Sequence, residues 1–152
     1  FFNDDGDECG GLVYDGNKKE ASFTYSIDQY RNDQIMQWQY AQDNGTAQRT
    51  RSYGLKLWDR PDTFGLADLI RLDDSLQRLP DTTVRRAVIH RLREEGLLGS
   101  ERLFLGRTPD HRVGLFIRDT KGRPRIEIGI DSAGRVVMHA LDSLGRPMAM
   151  AQ

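Results

Sequence analysis

The chain has 152 residues, a mass of 17.4 kDa, a net charge of −1 and a mean hydropathy of −0.64. A single Cys and the lack of a Gly-x-y period exclude a disulfide scaffold and collagen, while two Trp, five Tyr and six Phe lift the chain out of the disordered class. No apolar run approaches the roughly 18 residues of a membrane span, and the near-neutral balance leaves no overall field to draw in nucleic acid.

The first 64 residues read as strands and turns. Asn3–Glu8 is a polar turn, and Gly10-Gly11 frees the backbone before Leu12-Val13-Tyr14. Asp15-Gly16-Asn17-Lys18 is a turn, because Asp-Gly and Asn tolerate positive φ. In residues 21–27 Phe23, Tyr25 and Ile27 alternate with small polar residues and share one strand face. Met36, Trp38 and Tyr40 alternate with Gln in residues 34–40, and Asp43-Asn44-Gly45 turns the chain. Tyr53, Leu55 and Leu57 are in phase in the next strand, which Pro61 stops by lacking a ladder donor.

Residues 65–98 switch to helical spacing. Leu66, Leu69, Ile70 and Leu76 lie near one stripe, and Pro80 closes it. Asp81-Thr82-Thr83 offers an N-cap to a second helix with Val84, Ala87, Val88 and Leu92 in phase, and Gly96 suits its C-terminal end. Strands return at 103–106 and 113–117. One turn then recurs three times, as Asp119-x-x-Gly122-Arg123, Asp131-x-x-Gly134-Arg135 and Asp142-x-x-Gly145-Arg146, with strands at 125–130 and 136–141 between them. In this turn the Asp carboxylate can take backbone N–H groups and the Gly supplies positive φ.

The expected fold is therefore a mainly β, antiparallel meander or sandwich-like sheet with a short two-helix insertion, α+β overall. It forms one β-rich domain over 1–152, with the insertion at 65–98 and an alternative division into strand halves 1–64 and 101–152.

Charge is uneven. Residues 1–33 hold eight acids and three bases, residues 81–152 nine acids and thirteen bases, and Arg outnumbers Lys by 18 to 4. Ion pairing between an acidic front and a basic back accounts for this, and an anionic partner on the C-terminal half is the alternative. Asn3, Asp5 and Asp7 alternate as in an EF-hand, but Glu8 stands where its Gly belongs and Tyr14 where its Glu belongs, so that reading fails. Another oxygen cage using Asp4, Asp5 and Asp7 stays open. His90, His111 and His139 have no metal spacing, and the Gly-Gly flank of Cys9 has no helix N-terminus to activate a thiol. No phosphate loop, nucleophile elbow or zinc-protease motif is present, so neither an enzyme nor a cofactor is expected. The Arg that follows each turn Gly begins a strand, where cross-strand pairing with an acid is expected; an aligned ligand surface of Arg123, Arg135 and Arg146 is the alternative. The aromatic strands, with Phe23, Tyr25, Trp38, Tyr40, Tyr53 and Trp58, form the core of a small sheet protein or a surface for sugars or a partner.

Several stretches together carry a resemblance. They are residues 1–16 (FFNDDGDECGGLVYDG), Ser26–Gln37, Leu57–Pro61 and Arg118–Ile126. Over most of its length the chain resembles a group of bacterial proteins that carry an N-terminal export signal or hydrophobic anchor and have no assigned activity. The resemblance implies an extracytoplasmic, periplasmic location and an N-terminal part preceding these residues. It transfers no catalytic residue.

The expected function is a non-enzymatic structural and interaction module, an extrinsic accessory subunit of a bacterial membrane assembly, respiratory or photosynthetic. Its partners are protein subunits, with Trp38, Tyr40, Trp58, Arg123 and Arg135 as contact candidates. The alternatives are a carbohydrate- or calcium-binding module and a segment of a homotrimeric fibre or adhesin.

Overall fold

A computed structural model describes residues 1–45 and 49–149. Eight strands follow in chain order: β1 (Gly10–Gly16), β2 (Glu20–Asp28), β3 (Gln34–Asp43), β4 (Thr50–Asp59), β5 (Ser100–Arg107), β6 (Val113–Arg118), β7 (Pro124–Ile130) and β8 (Val136–Ala140). Helices α1 (Leu66–Gln77) and α2 (Thr82–Glu94) separate β4 from β5. Every strand pairs antiparallel with its sequence neighbours, so the sheet order is β1 to β8 without a crossover. The fold is a mainly β meander with a two-helix insertion. Of the two expected forms of sheet, the sandwich is not realised: all eight strands lie in one layer, and the broad contacts between elements all run between neighbouring strands.

Turn chemistry sets the meander. In the β6–β7 turn, Asp119 Oδ1 accepts the amides of Lys121 (3.0 Å) and Arg123 (3.1 Å), and Gly122 takes φ +74°. The β7–β8 turn repeats this with Asp131 and Gly134 (φ +79°), and the turn after β8 with Asp142 and Gly145 (φ +77°). This is the geometry an Asp-x-x-Gly turn needs, since only Gly enters the left-handed region without a Cβ clash. After the third turn the chain returns along β8, with Leu141 bridged to Pro147.

The helices sit at one end of the sheet. Asp81 caps α2 by accepting the Thr83 amide at 2.7 Å. Gly96, at φ +72°, closes α2, its amide bonded to Arg93 O and that of Leu97 to Leu92 O, the paired bonds of a Schellman motif. At the same end Asn32 is buried, and its amide nitrogen donates to the carbonyls of Pro61 (3.1 Å) and Phe64 (3.3 Å). Arg60 pairs with Asp33 at 2.8 Å, and Lys121 with Glu94 at 2.8 Å. The β2–β3 and β6–β7 turns are thereby tied to the insertion.

The sheet encloses no conventional core. Among the described residues no side chain is fully buried, and Leu76 and Phe104 are the buried hydrophobics. The accessible surface is 10703 Å², against about 7,900 Å² expected of a compact monomer of this mass.

Candidate functional site: the uncovered apolar face of the sheet

Register decides which residues share a face. One row crosses all eight strands: Leu12, Tyr25, Trp38 and Leu55 in β1–β4, then Leu105, Leu115, Ile128 and Met138 in β5–β8. A second row, toward the helices, runs through Ile27, Met36, Leu57, Leu103, Ile117 and Ile126. A third, away from them, holds Tyr14, Phe23, Tyr40, Tyr53, Val113 and Ile130. Arg107 is the charged member of these rows, and its guanidinium donates to the Arg51 carbonyl at 2.7 Å. Alternation along each strand puts the apolar side chains of these three rows on one surface.

The chain leaves that surface open to solvent. Trp38 is 60% exposed, Leu105 51%, Met138 54% and Val136 82%. In β7 the burial order is inverted: Ile126, Ile128 and Ile130 are exposed, whereas Arg125, Glu127 and Gly129 are half-buried. A hollow of about 420 Å³ lies beside Trp38, lined by Phe23, Tyr53, Leu55 and Leu105. A groove of about 710 Å³ at the helix end of the face has Met36, Leu57 and Leu103 as its floor and Asp59, Arg60 and Arg102 at its rim. The expectation that the aromatic strands build an internal core is corrected here. Among the described residues no second layer covers them, because the helices occupy the sheet's end.

The opposite face is polar, and it is the better covered of the two. Gly54, Gly106, Gly114 and Gly129 stand opposite one another across β4–β7, a row of four glycines. A Cβ on Gly54 would lie 2.7 Å from Gly106 Cα and 2.8 Å from the Phe104 ring. Phe104 fills this space, buried and stacked on Phe116 at 5.7 Å. Lys56 Nζ sits 5.9 Å from the Phe104 ring centre and 3.3 Å from Glu101, and Arg112 spans Asp110 and Glu127 at 2.9 and 2.8 Å. The glycine row is a feature that sequence reasoning missed. Its signal was a glycine inside each of four consecutive strand patterns.

The five contact candidates do not form one cluster. Trp38 and Tyr40 share the apolar face, where the Tyr40 hydroxyl donates to Gln42 Oε1 at 2.7 Å. Trp58 follows a bulge at the helix end of β4, its ring 5.8 Å from Lys56 Nζ. Arg123 and Arg135 occupy successive turns, which a meander places at opposite ends of the sheet. This separation removes the aligned surface of Arg123, Arg135 and Arg146. The expected cross-strand pairing of these arginines is corrected as well. Each Nε donates to the Asp of its own turn, at 2.8 Å for Arg123–Asp119, 2.7 Å for Arg135–Asp131 and 2.8 Å for Arg146–Asp142. Once Oδ1 has taken two amides, Oδ2 is the nearest free acceptor. The Arg135 and Arg146 amides and side chains hold the Asp131 and Asp142 carboxyls below the usual range. For Asp119 burial acts upward, and the Arg123 bonds outweigh it.

In the front turn, Asn3 Oδ1 accepts the amides of Asp5 and Asp7, and Asp7 pairs with Arg31 at 3.1 Å. Among the described residues no three His, Cys, Asp or Glu side chains gather in metal-binding geometry. Cys9, His90, His111 and His139 lie on separate elements: before β1, in α2, in the β5–β6 turn and in β8. No described helix is long and apolar enough to cross a membrane. No family model, no curated protein and no solved structure matches the chain.

Proposed function

We propose that the chain is a non-enzymatic structural module that works by protein association through the apolar face of its sheet, as an extracytoplasmic accessory subunit of a bacterial membrane assembly. The exposure of this face carries this reading: Leu12, Trp38, Leu105, Ile128 and Met138 of its central row are exposed, while on the other side Phe104 is buried and Lys56 and Glu127 are half-buried. Exposed apolar patches larger than a few hundred square ångströms are rare on monomeric proteins and mark interaction surfaces. Trp and Tyr at the centre of such a patch are the residue types that dominate association energies. The bacterial, extracytoplasmic setting rests on the resemblance of residues 1–16 and 118–126 to exported proteins.

The test is a mild-detergent pull-down of the native protein from its own membranes, with mass spectrometry of what is retained. The reading expects a stoichiometric membrane complex that Trp38→Glu releases and Arg135→Ala retains. A complex indifferent to Trp38→Glu, or none at all, contradicts it.

A further inference from the structure

We propose that the apolar face is covered by a second copy of this chain, packed face to face across a two-fold axis that lies between the sheets and runs parallel to the strands. The inference rests on the reading of the chain as an interaction module and names its first partner.

Area comes first. Eight strands at about 4.8 Å spacing and three inward rows make a face of about 34 by 20 Å, roughly 700 Å². A stable interface takes about 800 Å² from each partner, so one sheet fits one sheet. The chain also carries about 2,800 Å² more surface than a compact monomer of its mass, enough to lose such an area and still be well exposed.

Charge comes second. A two-fold partner brings the same patch to the interface, so a charge within it is buried unpaired unless the patch itself supplies the opposite charge at the symmetric position. The central row from Leu12 to Met138 has no charged residue, and Arg107 in the outer row is tied to a backbone carbonyl. A face whose two rows nearer the helices carry no charge, and whose third carries Arg107 alone, can pack on a copy of itself. By contrast, the opposite face carries Lys56, Glu101, Arg112 and Glu127.

Bulk comes third and fixes the axis. On this face the aromatic side chains come from β1–β4 and the aliphatic ones of β5–β8 stand beside them, since Phe104 and Phe116 lie on the other face. A two-fold axis parallel to the strands sets β1 over β8, β2 over β7 and β3 over β6. Across β1–β3 the aromatic side chains Tyr14, Phe23, Tyr25, Trp38 and Tyr40 then meet aliphatic ones, and the gap stays near the about 10 Å of packed sheets. The perpendicular axis would set Trp38 over the strand that carries it and leave the aliphatic halves apart. In the favoured arrangement Trp38 faces Leu115 of the second copy and Tyr25 faces Ile128. The hollow beside Trp38 gives the opposing side chain a seat.

The test is sedimentation equilibrium on the purified chain from dilute to concentrated, with circular dichroism as the fold control. Wild type is expected at twice 17.4 kDa. Trp38→Glu and Leu115→Lys are each expected to run as folded monomers, because each buries an unpaired charge. Residues 38 and 115 lie three strands apart within one chain, so an equimolar mixture pairs them only between chains and is expected to restore the doubled mass. A photo-crosslinking residue in place of Leu115, which adds no charge, is expected to label the Trp38 peptide of the second copy. Should the variants fail to fold, that crosslink decides the matter. A wild-type chain that stays monomeric with an intact sheet overturns the proposal and leaves membrane retention to judge the broader reading. A mass of three chains, or a dimer that neither substitution breaks, overturns it too. If instead the dimer forms but the membrane pull-down retains nothing, the accessory-subunit reading fails and the dimer stands.

Discussion

The Asp-x-x-Gly-Arg turn is a closed unit in which one carboxylate serves three donors and one glycine supplies the left-handed backbone. Gly134→Ala forces a Cβ into φ +79° and should cost about 1–2 kcal/mol, read as a shifted urea midpoint at fixed protein concentration. The carboxyls also set a pH dependence. Asp131 and Asp142 titrate below their usual range, so the stability they contribute is present above that range and is lost as pH falls through the lowered values. Asp131→Asn should flatten the acid limb of the stability profile. Asp28 has the opposite sign. Burial first, then the charges of Glu8 and Asp33, raise its value, and its Oδ1 is buried without a hydrogen-bond partner. Stability is therefore lost as pH rises through the raised value, and Asp28→Asn should raise the melting temperature at neutral pH while leaving it unchanged below the usual Asp range. Asn32→Ala leaves the Pro61 and Phe64 carbonyls unpaired and should cost about 1–3 kcal/mol by urea unfolding.

The strands and helices were legible in the sequence because each carries its own punctuation. Met36, Trp38 and Tyr40 alternate with Gln, Asp81 precedes a helical stripe, Gly96 ends it, and the structure has β3 and α2 at those places. The destination of each turn Arg was not legible, because strand alternation points it across the ladder and only the turn's geometry brings it back to Asp. The glycine row was hidden for a different reason: each glycine reads alone as a weak strand position, and pairing register lines up the four. That row and Phe104 form a device of their own. The ring covers backbone that lacks side chains, so Phe104→Ala should cost about 3 kcal/mol or more. Gly106→Ala, whose Cβ would stand 2.7 Å from Gly54 Cα, should cost about 1–3 kcal/mol. Both lie on the polar face, so both should lower the urea midpoint without changing the mass of the assembly.

At the scale of the whole molecule, alternation told which side chains share a surface and could not tell what lies over that surface. The alternation of Trp38 and Tyr40 favoured a core over a contact surface, yet a core strand and an obligate-interface strand have the same pattern. The difference lies in the helices, whose place at the sheet's end leaves the apolar rows without a second layer. A fold of this kind depends on its neighbour, and its melting temperature should rise with protein concentration. The most direct test of the central claim is the environment of Trp38, read by tryptophan fluorescence in a Trp58→Phe background as the protein is diluted. A covered face predicts blue-shifted emission protected from acrylamide when concentrated, moving to red-shifted and quenchable emission on dilution. Red-shifted, freely quenchable emission at every concentration, with the strand dichroism intact, would contradict it.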